Sequence, residues 1–166
     1  MMKITVLIEN TAQEGFQCEH GLSMFIEFQG KQYLLDAGTS DLFLENAKTL
    51  GISLGDVKTC ILSHGHYDHS GGFCRLFEEN KNARLYAMKG ADGAYYSTKG
   101  ELHEIGIPKE LTEMHSDRFI YVDRVTELDT GVYLIPHNSD GLEMIGERTG
   151  LYKKINDELL PFAEQK

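Results

Sequence analysis

Leu62-Ser63-His64-Gly65-His66-Tyr67-Asp68-His69-Ser70-Gly71-Gly72 places three of the chain's seven histidines and one carboxylate within six residues. Imidazole and carboxylate are the usual ligands of zinc and of other borderline first-row metals. The stretch follows Val57-Lys58-Thr59-Cys60-Ile61-Leu62, a short, β-branched and mostly apolar run that reads as a buried strand. Strand ends are rigid places from which to hold ligands. On an extended backbone His64, His66 and Asp68 project to one side at i, i+2 and i+4, with His69 turned next to them. Gly65 keeps the space between the first two imidazoles clear, and Gly71-Gly72 lets the backbone approach as the next helix opens. Solvated or core histidines that are adjacent by chance explain this spacing poorly.

Working outward, residues 3–9 alternate with Ile4, Val6 and Ile8 on one face, and residues 22–28 with Leu22, Met24, Ile26 and Phe28. Gln29-Gly30-Lys31 supplies a tight connection to a third strand, Tyr33-Leu34-Leu35, making 22–36 an antiparallel hairpin that ends at Asp36-Ala37-Gly38. Thr39 or Ser40 is placed to cap a helix over 41–50 with Phe43, Ala47 and Leu50 on its apolar face, and Gly51 stands at its end. Phe73, Leu76 and Phe77 give residues 71–80 a second helical face, and Arg84 to Met88 resume strand character. The order βββαβαβ indicates a layered α/β sandwich with a mixed sheet. Residues 89–117 lose periodicity and read as a surface excursion, with a short helix from Pro108 through Leu111 and Met114 and with Tyr95, Tyr96 and Lys99 available to a ligand. Two further strands are expected at Phe119 to Val122 and Val132 to Ile135.

The chain has 166 residues, 41% of them hydrophobic, enough for one domain with a real core and no need of disulfides. Sixteen Lys and Arg against 26 Asp and Glu leave a net charge of −10, which argues against wrapping nucleic acid. Cys18, Cys60 and Cys74 form no C-x-x-C pair and suit a reducing compartment. No secretory leader and no membrane-spanning run is evident, so a soluble cytoplasmic protein is expected, with no membrane partner. No nucleophile elbow, phosphate cradle or dinucleotide fingerprint competes with the histidine stretch.

These residues resemble a known family. His64, His66, Asp68 and His69 match the H-x-H-x-D-H signature of the metallo-β-lactamase superfamily, and Asp36-Ala37-Gly38 is similar to its strand-end Asp-x-Gly. Glu19-His20-Gly21-Leu22-Ser23 and Ile105-Gly106-Ile107-Pro108 further resemble the branch of metal-dependent hydrolases that includes dihydropterin ribofuranosylaminobenzene phosphate synthases. The resemblance implies an αββα sandwich with a mixed sheet, a cleft at the sheet edges and one or two metals, zinc first, with iron or manganese as alternatives. It implies that His64 and His66 hold one metal and Asp68 and His69 the second, that Asp36 is supportive, and that Asp68 also orients the attacking water or accepts its proton. The expected activity is hydrolysis of an ester, amide or phosphoester in a small-molecule substrate by a metal-bound hydroxide. The alternatives are iron-dependent redox chemistry on the same fold, and a catalytically incomplete half-domain that acts with a partner chain.

Family members are longer and carry a second set of ligands. Residues 1–166 are therefore expected to form one partial domain, the first half of the sandwich and somewhat more. A catalytic zinc takes three protein ligands and a water, whereas the motif offers four ligands for two metals. The missing donor is sought first at His137, then at His20, His103 and His115, or in another chain. The protein is accordingly expected to act as a homo-oligomer or with a complementing chain, and its isolated monomer to be a poor hydrolase.

Overall fold

The computed structural model describes residues 1–136 and 142–161. The elements run β1 (Met2–Ile8), β2 (Ser23–Phe28), β3 (Lys31–Leu35), α1 (Leu42–Thr49), β4 (Thr59–Ile61), α2 (Tyr67–Ser70), α3 (Phe73–Glu79) and β5 (Arg84–Met88). They continue with β6 (Tyr95–Ser97), β7 (His103–Glu104), α4 (Lys109–Met114), β8 (Phe119–Val122), β9 (Thr126–Asp129), β10 (Val132–Leu134), α5 (Leu142–Thr149), β11 (Leu151–Ile155) and β12 (Glu158–Pro161).

A six-stranded mixed sheet of order β1-β2-β3-β4-β5-β8 organises the molecule. Its first three strands are antiparallel and its last four parallel, so β3 belongs to both halves. The hairpin from β2 to β3 closes through Gln29 and Gly30, both at positive φ, the two-residue turn whose twist suits a hairpin. Parallel neighbours need crossovers, and α1 and the α2–α3 pair supply them. Leu7, Phe25, Leu34, Cys60, Leu85 and Ala87 point from one face of this sheet into a core shared with Phe43 and Ala47 of α1, Phe73, Leu76 and Phe77 of α3, and Leu111 of α4. The alternate residues line the other face, where Ile4, Val6 and Ile120 are exposed and Met24, Ile26, Leu35, Ile61 and Tyr86 are half-buried. Asp129 of β9 meets this side by accepting a 2.7 Å hydrogen bond from the Tyr33 hydroxyl and pairing with Lys31.

Several expectations need correction. The strand before the histidines is only three residues long, because Val57 closes a turn onto Leu54 and two carbonyls there accept from the buried Asn80 amide. The helix expected over 71–80 begins earlier and in two pieces, α2 and α3. Asp41, not Thr39 or Ser40, stands at the N-cap of α1, although Ser40 Oγ accepts from the Leu42 amide at 3.3 Å. The excursion 89–117 contains β6 and β7, which form a second sheet of order β12-β11-β6-β7 by pairing Tyr96 with Tyr152. Tyr95 is fully buried, with its hydroxyl donating to the Gly90 carbonyl at 2.7 Å, and so faces no ligand at the surface. Among the described residues no helix is long and apolar enough to cross a membrane.

Candidate metal centre

The histidine motif sits at the carboxyl ends of the parallel strands, where β3 delivers Asp36 and β4 delivers Ser63 and His64. The backbone is not extended throughout. His66 keeps extended angles at the N-cap of α2 (φ −107°, ψ 153°), and Asp68 and His69 then lie on a single helical turn. That turn, not strand alternation, brings the last two motif residues back toward the first two. The His64 ring centroid lies 4.6 Å from that of His66 and 4.0 Å from that of His69.

The loop is held from three sides by main-chain bonds. Ala37 N donates to His69 O at 2.8 Å, Tyr67 N to Ile105 O at 3.0 Å, and Leu22 N to Asp68 O at 3.4 Å. Thus the two flanking segments that look like the hydrolase branch, around Gly21 and Ile105, are structural clamps on the motif. Gly65 is required for a reason different from the one expected. A Cβ there would overlap the Ala91 carbonyl, whereas Cβ atoms on Gly71 and Gly72 would overlap carbonyls of the segment 37–40.

Asp36 organises the polar interior of the site. It is fully buried and adopts φ 58°, a left-handed conformation uncommon for a residue other than glycine. Its carboxylate accepts the Ser63 amide at 2.8 Å and the Ser63 hydroxyl at 2.6 Å, and lies 2.7 Å from His69 Nδ1. An ionised carboxylate accepts only, so His69 Nδ1 carries a proton. Ser63, having spent its proton on Asp36, can only accept from His64 Nδ1 at 2.9 Å. One carboxylate therefore leaves Nε2 as the unprotonated ring nitrogen of both His64 and His69, the arrangement usual behind metal-binding histidines.

Burial, reinforced by the neighbouring His69 and His66 charges, lowers the His64 pKa to about 4. Burial and then His69 lower that of His66 to about 4. Both are neutral at pH 7, the form that binds metal. Burial also pushes His69 down, but the Asp36 hydrogen bond and the charges of Asp36 and Asp68 outweigh it, and the net shift is upward.

Asp68 is 8% exposed, with Oδ2 lying 3.5 Å from His69 Nε2 and 3.3 Å from His20 Nε2. Of the further candidates, His20 is thus brought to the motif. His103 is exposed and bonds its Nδ1 to the Glu101 carbonyl, and His115 packs edge-on against Phe77. His137 lies outside the described residues. Among the described residues no group of three or more His, Cys, Asp or Glu side chains is arranged to hold a metal ion as it stands. The donor chemistry nonetheless fits a borderline divalent ion: neutral imidazoles with a fixed ligating nitrogen beside a carboxylate. Concavities open elsewhere, one of them lined by Thr5, Phe16 and Asn46, so shape alone does not mark this site. No local pattern assigns Glu19 or Ser63 a role in the site. Only the short spacing of Ser63 to His64 hinted at one.

Residues 17–139 match the family model described as the metallo-beta-lactamase superfamily. The chain is 31% identical to Tm1679, whose crystal structure is that of a metal-dependent hydrolase of the beta-lactamase superfamily, with a TM-score of 0.76 over 99% of this chain and 59% of that one. An uncharacterized protein of Methanocaldococcus jannaschii is 34% identical over 66% of this chain and 42% of its own length. From the same organism, 7,8-dihydropterin-6-methyl-4-(beta-D-ribofuranosyl)-aminobenzene-5'-phosphate synthase is 29% identical over 96% of this chain and 59% of its own length. The chain therefore spans about half the length of the curated relatives it matches.

Proposed function

We propose that this chain, which belongs to the metallo-beta-lactamase superfamily, is a metal-dependent hydrolase acting on an ester, amide or phosphoester bond of a small molecule. The observation that carries this reading is the Asp36 hub, since a buried carboxylate that sets the tautomer of two neighbouring imidazoles is costly and serves ligands better than it serves packing. His64 and His66 would hold one ion, Asp68 and His69 a second, with zinc as the first candidate. A bound divalent ion lowers the pKa of water and draws electron density from a carbonyl or phosphoryl oxygen.

The chain's own residues supply the rest. Asp36 and Ser63 fix the imidazoles so that no reorganisation is needed during turnover. Asp68, buried beside His20, would orient the attacking water or accept its proton through the carboxylate oxygen not engaged with the ion. The likeness to a relative named as a phosphate-bearing pterin synthase supports testing phosphorylated small molecules first.

The test pairs metal content by mass spectrometry with hydrolysis of p-nitrophenyl esters and bis(p-nitrophenyl) phosphate. Zinc should co-purify, chelation should abolish turnover and lower the melting temperature, and His66→Ala should lose both metal and turnover. Full turnover after exhaustive chelation would sink the proposal.

A further inference from the structure

The segment Glu19-His20-Gly21 forms a strap across the motif loop. The Glu19 carboxylate accepts the amides of Thr39 and Ser40 at 2.9 and 3.0 Å and the Ser40 hydroxyl at 2.6 Å. The His20 carbonyl accepts the Thr39 hydroxyl at 2.6 Å. Gly21, at φ 134°, lies so close to the Asp68 carbonyl that a Cβ would overlap it. This many bonds fix the main chain of a short loop around a side chain that is itself 72% exposed.

That side chain is aimed at the motif. Asn10 Oδ1 lies 2.9 Å from His20 Nδ1, and an amide oxygen accepts, so the proton sits on Nδ1 and the ligating nitrogen is Nε2. This nitrogen is 3.3 Å from Asp68 Oδ2, which is in turn 3.5 Å from His69 Nε2. Two donors that share a tetrahedral ion, each about 2.0 to 2.1 Å from it, stand roughly 3.3 to 3.4 Å apart. Both separations match those of neighbouring ligands on one ion, an arrangement that His20, Asp68 and His69 reach once the largely exposed His20 ring turns inward, since as they stand the three do not enclose one.

We propose that His20 is a metal ligand, joining Asp68 and His69 around one ion and supplying the third protein donor that the motif lacks for its second site. This rests on the metal-dependent reading above. A plain surface contact between His20 and Asp68 predicts instead that metal binding ignores the residue.

The 166-residue chain, stripped of metal, is titrated with Zn(II) by calorimetry and with Co(II) by visible absorption, whose intensity reports coordination number. His20→Ala, His66→Ala and, as control, His103→Ala are compared, with melting curves of the metal-free proteins to establish folding. His20→Ala should weaken one metal-binding event at least tenfold and change the Co(II) spectrum. His20→Asp, which restores a donor, should recover part of the affinity, and His103→Ala should match the wild type. Wild-type affinity and spectrum in His20→Ala, with metal lost in His66→Ala, would overturn the role of His20 and leave the metal reading intact. A wild-type chain that takes up neither ion overturns both.

Discussion

Replacing Asp36 separates the two jobs its carboxylate performs, holding the fold together and setting imidazole tautomers. Asp36→Ala removes an acceptor from three donors in a fully buried position. At about 1.5 to 3 kcal/mol for each charge-assisted bond the three together come to about 4.5 to 9 kcal/mol, whose lower end, about 5 kcal/mol, meets the roughly 3 to 5 kcal/mol for breaking a buried charged pair. At about 2 to 4 °C per kcal/mol for a chain of this size, the melting temperature should fall by about 10 to 20 °C. Asp36→Asn is the more informative change. Asparagine tolerates the left-handed φ of 58° and keeps one oxygen for the Ser63 amide, so the stability loss should be only about 1 to 2 kcal/mol. Its amide now donates where a carboxylate accepted, so His69 must present a bare Nδ1 and move its proton to Nε2. Ser63 is released to donate to His64 Nδ1, which moves the His64 proton in the same way. Long-range proton–nitrogen NMR of the metal-free protein should show both tautomers inverted, and Zn(II) affinity should fall about 10- to 100-fold. A folded Asp36→Asn protein with wild-type tautomers and wild-type affinity would refute the argument that one carboxylate sets both histidines.

Gly65→Ala drives a methyl group into the Ala91 carbonyl and should cost about 1 to 3 kcal/mol, read as a lowered melting temperature with weakened Zn(II) binding. Asn80→Ala strips partners from the Leu54 and Val57 carbonyls and the Asn82 and Ala83 amides, and should cost about 3 to 5 kcal/mol in chemical denaturation while leaving the ligands in place. The Lys31 and Tyr33 hydrogen bonds hold the Asp129 carboxyl below its usual range, so their support is present above the unfolded carboxylate pKa and is lost as pH falls through the lower folded value. The melting-temperature difference between wild type and Asp129→Asn should accordingly be larger at pH 7 than at pH 3.

The elements legible in the sequence are those whose signal is local. Phe43 and Ala47 mark α1, the run to Leu62 marks the strand that launches the motif, and the Gln29-Gly30 turn fixes the hairpin. The motif residues are legible for the same reason, lying within six positions of one another. What was missed depends on distant partners. β6 exists because Leu151–Ile155 pairs with it, and nothing near Tyr95 announces that partner. Tyr95 has the local signature of a surface residue, since its burial depends on long-range packing beside His66, its ring 6.1 Å away. The turn Tyr67–Ser70 carries no apolar period, so its sequence does not distinguish it from a continuation of the strand. Glu19 acts by capturing amides 20 and 21 residues further on, a relation no spacing rule exposes.

The same contrast between local and distant parts bears on the order in which the chain should meet its ion. His64, His66, Asp68 and His69 stand side by side even in an unfolded chain, and on the proposed metal-dependent reading four such donors would chelate a divalent ion before any fold forms. Asp36, by contrast, comes from 33 residues before His69 and can orient it only after β3 and β4 have paired. Metal captured by the unfolded quartet offsets part of the stabilisation that native binding provides. It also locks in imidazole tautomers that no carboxylate has chosen. Refolding in excess zinc should therefore trap misligated chains, and adding zinc after the sheet has closed should give the higher yield of a uniform centre.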